Sequence, residues 1–213
     1  MMTPKGLVFV IDDNQSVRKS LERLLDAAGY DTELFDSASG FLSRSSHPGP
    51  SCLIVDVRMP GLNGMDLQKT LIECRREEQL VFITAHGDVP MCAEAMKAGA
   101  VDFLPKPFKP RQLLESVERA LVRSAEQRRH TAEKNQAEAL LARLTPREYE
   151  VMQLVATGLL NKQVGGELGM AEKTVKTHRA HVMQKLGITS VAELMLVLQK
   201  AGITPPVKPG TKV

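Results

Sequence analysis

The sequence predicts an α/β domain, a doubly wound five-stranded parallel sheet, followed by a smaller all-α domain. Five short apolar runs alternate with stretches of helical period over the first 121 residues, which is the pattern of a parallel sheet covered on both faces. Two helix-start signals, Thr145-Pro146-Arg147-Glu148 and Ser190-x-x-Glu193, open further helices near the end. The charge balance also changes sign: residues 1–121 hold 14 Lys and Arg against 17 Asp and Glu, residues 122–141 hold 4 against 3, and residues 142–213 hold 10 against 5. The expected division is a sheet domain at 1–121, a helical linker at 122–141, an all-α domain at 142–203 and a disordered tail at 204–213.

The apolar runs lie at 7–11, 32–35, 52–55, 80–83 and 101–104. Between the first two, residues 15–28 place Val17, Leu21, Leu24, Leu25 and Ala28 on one helical face. With the strand order 2-1-3-4-5, ligands bind at the carboxyl ends of strands 1 and 3. From Lys109 to about Leu144 the chain is rich in Ala, Glu, Gln and Arg, has no Gly and carries Pro110 only at its start, so a long helix is expected. Its weak apolar seam, Val117, Leu121, Ala125, Ala132 and Ala139, is interrupted by Ser124, Arg128 and Asn135, which favours a solvated connector over a coiled coil. The helix opened by Thr145 turns Tyr149, Met152, Leu154 and Val155 inward, and the last helix offers Leu194, Val197, Leu198 and Ala201. The final "TPPVKPGTKV" reads as the tail.

Composition excludes several classes. Cys52, Cys74 and Cys92 are odd in number and far apart, which argues against a disulfide framework or a cysteine metal site and for small core residues in a reducing cytosol. The apolar run "LVFVI" is far shorter than a spanning helix requires, so a soluble cytoplasmic protein without a membrane partner is expected. No G-x-x-x-x-G-K-[ST] stretch occurs, which removes a P-loop nucleotidase.

Polar groups stand at the strand ends. Asp12-Asp13 follow the first strand, Asp56 the third, Thr84 the fourth and Lys106 the fifth. Three carboxylates brought together repel one another, and a hard divalent cation with oxygen ligands, magnesium above all, relieves that repulsion. A lysine and a hydroxyl on the same rim suit phosphoryl oxygens, which makes Asp56 a candidate nucleophile. Taken singly the residues have plainer uses: Asp13 or Asn14 as a helix cap, Thr84 as a strand-end hydroxyl, Lys106 as a surface charge. An aspartate-nucleophile phosphatase would carry a second acid two residues past the nucleophile, and Arg58 stands there instead.

The stretches "VFVIDDN", "LIVDVRMPGLNG", "FITAHGD" and "AMKAGAVDFLPKPF" resemble the flavodoxin-like receiver domain of bacterial two-component response regulators of the NarL/FixJ family. The resemblance implies phosphoryl transfer from a sensor histidine kinase to Asp56, with magnesium held by Asp12, Asp13, Asp56 and the backbone carbonyl of Arg58. It further implies that Thr84 and Lys106 bind phosphoryl oxygens, that Phe103 is the switch aromatic, and that Lys106-Pro107 is cis. Asn14 departs from the third acid of many members. Arg58 and His86 occupy the positions that the family uses to tune phosphoryl lifetime, where we expect His86 to shield the phosphoryl group sterically rather than act as a base. A dimer formed on phosphorylation would use the fourth helix and fifth strand, near Met91 to Lys97.

Between the two capping signals, "NKQVGGELGMAEKTVKTHRAHVMQKLG" has the spacing of a helix-turn-helix: a short helix, a turn at Gly169 and a basic helix from Glu172 to Leu186. Val175, Val182 and Leu186 share one face; Lys173, Lys176, Thr177, Ala180 and Gln184 share the other, as major-groove entry requires. An ordinary surface helix also has a polar outer face. Residues 142–201, however, resemble the LuxR-type DNA-binding domain throughout. This implies Lys176, Thr177 and Ala180 over base edges of double-stranded DNA, Lys162, Lys173, Thr174, His178 and Arg179 near phosphates, a dimer contact on the last helix, and RNA polymerase as a partner of a transcription regulator. Gly165-Gly166 and the uncapped Ala171 depart from common members, each at a cost of about 1 kcal/mol. A regulator that binds DNA without phosphate is the remaining alternative.

Overall fold

The computed structural model describes residues 6–85 and 89–206, and the chain divides into two compact units between Arg128 and Arg129. The first unit holds β1 (Leu7–Ile11), α1 (Gln15–Ala27), β2 (Asp31–Phe35), α2 (Ala38–Leu42), β3 (Ser51–Asp56), α3 (Gly64–Glu73), β4 (Gln79–Thr84), α4 (Val89–Lys97) and β5 (Asp102–Pro105). All strand pairs are parallel, in the order β2-β1-β3-β4-β5, as the alternation of runs predicts. Phe9, Ile11, Leu53, Val55 and Phe82 point to one face, under α2, α3 and α4, while Val8, Val10, Ile54, Val81 and Ile83 point to the other, under α1 and α5. Burial on both faces is why these strands read as unbroken apolar runs rather than alternating ones.

Helix α5 runs from Pro110 to Leu141, and its two ends serve different cores. Leu113, Val117 and Leu121 pack on the sheet, and Ser124, fully buried, accepts a hydrogen bond from the N–H of Ser51 at 3.0 Å. Arg128 donates to the carbonyls of His47 and Pro48 at 2.7 and 3.3 Å. Of the polar residues that broke the apolar seam, Ser124 and Arg128 are therefore fasteners of the first unit, while Asn135 is exposed. Ala137 and Leu141 belong to the core of the second unit.

That second core is closed by α6 (Pro146–Ala156), α7 (Asn161–Leu168), α8 (Glu172–Leu186) and α9 (Val191–Lys200). Thr145 and Glu148 form the expected reciprocal capping box of α6. Ser190 caps α9, but the Glu193 carboxylate reaches past it to the N–H of Thr189 at 2.6 Å. Ala28 is exposed at the end of α1 rather than packed, and of the three cysteines Cys52 alone is buried; Cys74 is exposed and Cys92 half-buried. Among the described residues no single helix is long and apolar enough to cross a membrane; α8 and α9 would reach that length only as a pair bent by 56°, and their apolar residues fill the second core. Of the expected tail, residues 207–213 lie outside the described ones.

Candidate functional site

At the carboxyl end of the sheet, β1 delivers Asp12, which is 1% exposed, and the exposed Asp13; β3 delivers Asp56 between them and β4. One carboxylate oxygen from each of Asp12, Asp13 and Asp56 lies within 4.8 Å of the others. Gly64 lets α3 start directly beneath this point: a Cβ there would stand 2.6 Å from the carbonyl oxygen of Asp56, and the Gly64 N–H donates to Val57 O at 3.0 Å. Thr84 is fully buried at the end of β4, and its carbonyl accepts from the Lys106 N–H at 2.7 Å. Lys106 Nζ reaches Asp12 Oδ2 at 2.9 Å and stands 3.7 Å from Asp56 Oδ1. The Lys106-Pro107 bond is cis. Phe103 is half-buried, its ring 6.1 Å from that of Phe82.

Burial pushes the Asp56 carboxyl above its usual range; the Lys106 ammonium and the Arg58 N–H oppose this, while Asp12 and Asp13 add to it. Asp56 Oδ1 is buried and has no hydrogen-bond partner. An acceptor left bare, in a group of three acids served by one ammonium, fits a hard divalent cation. The side chain of Arg58 is exposed, and with Asp13, Met59, Met65, Lys69 and Met91 it lines an adjoining cavity of about 670 Å³. His86 lies outside the described residues.

Beside the pocket, one plainer use anticipated from the sequence is realised and one contact was not foreseen. Asn14 caps α1, accepting from the N–H groups of Ser16 and Val17, so the plainer use holds for it. Arg18, one turn into α1, reaches back and donates from Nη1 to the carbonyl of Asp12 at 2.6 Å. A contact from a side chain to a carbonyl leaves no trace in residue type.

In the second unit, α7 ends at Gly169 with φ +64°, and α8 follows over the predicted span. Val175, Val182 and Leu186 are buried, and Lys173, Thr174, Lys176, Thr177, Ala180 and Gln184 are exposed, as is Lys162 on α7. His178 and Arg179 are half-buried; Arg179 Nη1 donates to Asn161 Oδ1 at 3.1 Å, and Thr177 Oγ1 donates back to Lys173 O at 3.1 Å. A Cβ on Gly165 would stand 2.6 Å from Met170 O, so this glycine makes room for the turn, whereas Gly166 faces open space. Ala171 gives α8 no side-chain cap. Glu148 is buried, accepts from Lys185 Nζ at 2.6 Å and lies 3.7 Å from His181 Nδ1, which ties α6 to the inner side of α8. The Lys185 hydrogen bond and the Thr145 N–H hold its carboxyl down at about 2.

Residues 8–118 match the family described as response regulator receiver domain, and residues 142–198 match bacterial regulatory proteins, luxR family. The chain is 44% identical to nodulation protein W of Bradyrhizobium diazoefficiens over 94% of its own length and 88% of that protein's. It is 40% identical to the transcriptional regulatory protein FixJ of the same species, over 95% of this chain and 98% of that one. Among solved structures, the response regulator StyR is similar with a TM-score of 0.81 and 48% identity, covering 92% of this chain and 99% of that one.

Proposed function

The chain belongs to the two-component response regulators that join a receiver domain to a LuxR-type DNA-binding domain, and from that premise we propose that Asp56 is its phosphoacceptor. Members of this family are transcription regulators rather than enzymes, and they work with sensor kinases and DNA. The observation that carries the reading is Asp56 itself: a strand-end carboxylate with a buried, unpartnered oxygen, facing Asp12, Asp13 and Lys106.

In the proposed step an Asp56 oxygen attacks phosphorus, the bond from phosphorus to the kinase's histidine nitrogen breaks, and the imidazole leaves. Magnesium, held by Asp12, Asp13, Asp56 and the carbonyl of Arg58, would supply positive charge to the phosphoryl oxygens as the bond transfers. Lys106 lies close enough to Asp56 to contact the transferred group, and Thr84 stands at the end of the neighbouring strand. Filling that corner would draw in Thr84 and release Phe103 toward a second position, which reshapes α4 and β5. Val89 and Met96, 83% and 42% exposed on α4, are apolar surface suited to a dimer formed on phosphorylation.

The dimer would then place two α8 helices in successive major grooves of double-stranded DNA. Lys176, Thr177 and Ala180 would face base edges, with Lys162, Lys173, Thr174, His178 and Arg179 near phosphates; the exposure of Lys162, Lys173, Thr174, Lys176, Thr177 and Ala180 supports this assignment. Met195 and Leu196, exposed on α9, suit a second dimer contact. RNA polymerase and a cytoplasmic location complete the reading. Mass spectrometry after exposure to acetyl phosphate and magnesium tests it: a phosphoryl adduct is expected in the wild type, and one that persists at the same level in Asp56→Asn overturns the assignment.

A further inference from the structure

Asp12 is held at four atoms. Its N–H donates to Phe35 O at 3.3 Å, Oδ1 accepts from Asn14 N at 2.8 Å, Oδ2 accepts from Lys106 Nζ at 2.9 Å, and its carbonyl accepts from Arg18 Nη1 at 2.6 Å. Asp13 is different: it is exposed, and among the described residues no hydrogen bond or ion pair holds its carboxylate. The backbone alone places it. The carbonyl of Asp12 and the N–H of Asp13 lie in one rigid peptide plane, so whatever grips that carbonyl sets the plane from which Asp13 projects.

We propose that Arg18 is a positioning residue for the divalent cation: through the Asp12 carbonyl it fixes the Asp12-Asp13 peptide so that both carboxylates face Asp56. The proposal rests on reading the pocket as a cation site. Helix α1 gives the guanidinium a firm base, since Asn14 caps its start and Leu21 and Leu25 are buried against the sheet. A guanidinium keeps its charge at any working pH and makes a charge-assisted hydrogen bond about twice as strong as a neutral one.

The two ways in which Arg18 can influence a cation have opposite signs. By charge alone it repels the ion, so its removal tightens binding. By position it assembles the donors, so its removal loosens binding. Loss of a group that orients a metal ligand commonly costs at least about tenfold in affinity.

The experiment is a calorimetric titration of magnesium into the full-length protein, with the melting temperature measured alongside. Arg18→Met is expected to raise the magnesium dissociation constant about tenfold. Arg18→Lys, which keeps the charge and a donor but not the planar fork, is expected to fall between the two and carries the test should Arg18→Met not fold. Lys19→Met removes an exposed charge of the same sign from the next position and is expected to leave binding unchanged or slightly tighter. If the wild type takes up no magnesium, the cation reading of the pocket fails. If the wild type binds it and Arg18→Met binds as well or better, the cation reading stands and the role of Arg18 is overturned, whatever the melting temperatures show.

Discussion

The ammonium of Lys106 is bonded to Asp12, at 2.9 Å, while Asp56 Oδ1 stands 3.7 Å away with no hydrogen-bond partner. One cation serves two acids and satisfies the one that is not the proposed nucleophile. The folded chain thus holds Asp56 in an unfavourable state until something positive enters.

That imbalance predicts a stability effect with a definite sign. The carboxyl of Asp56 is raised in the folded chain, so above both its folded and its unfolded value the ionised group opposes folding. Asp56→Asn should melt at a higher temperature than the wild type near pH 7 in a chelator. Magnesium should then raise the wild type toward the variant and move the variant less. Scanning calorimetry with and without the metal checks this, and a variant that melts lower in the chelator would count against it.

The adjacent glycines of α7 should behave oppositely. Gly166→Ala adds a methyl group in open space and removes chain entropy from the unfolded state, which should stabilise the second unit by about 0.5–1 kcal/mol. Gly165→Ala drives the same group against Met170 O and should destabilise. Ala171→Ser should supply the missing cap of α8, worth about 1 kcal/mol. Urea denaturation of the full chain, followed by the loss of helical signal, measures all three.

Glu148 should govern acid stability. Its carboxyl lies at about 2 in the folded chain against 4.5 as an isolated group. A depressed value means that its contribution is complete above pH 4.5 and is lost as pH falls toward 2. Glu148→Gln should be less stable at neutral pH, with the gap closing through that window. A gap of constant size from neutral pH to pH 2 would show that the carboxyl is not held down in the folded chain.

On the DNA face, Lys176→Ala should cost about 1–3 kcal/mol against the preferred sequence and relax discrimination at one base pair. Lys162→Ala should weaken every sequence alike and reduce the salt slope by about one. Binding titrations on specific and scrambled duplexes at several salt concentrations separate the two, and equal losses on every sequence would remove Lys176 from the base edges.

The acid at the end of β3 is legible in the sequence because burial on both faces makes residues 52–55 an unbroken apolar run, so a carboxylate after it stands out. The span of α8 is legible for a similar local reason, with Gly169 before it and Gly187 after it in left-handed conformations. Other features were hidden because tertiary packing creates them. Gly165 reads as a loss of helix propensity until the Met170 carbonyl is placed against it. Glu148 reads as a capping acid, and nothing local shows that Lys185 and His181 close over it. Ser124 and Arg128 read as solvated interruptions, because a polar side chain bound to another segment's backbone has the same composition as one bound to water.

Ser124 also decides where the first unit can be cut. A fragment ending at Leu121 would leave the N–H of Ser51 buried without its acceptor, an orphaned donor that costs about 1–3 kcal/mol, and would strip His47 and Pro48 of the Arg128 guanidinium. A fragment ending after Arg128 keeps both. Residues 129–136 bury no side chain, so trypsin acting at Arg129 would release a first fragment that keeps Ser124 and Arg128.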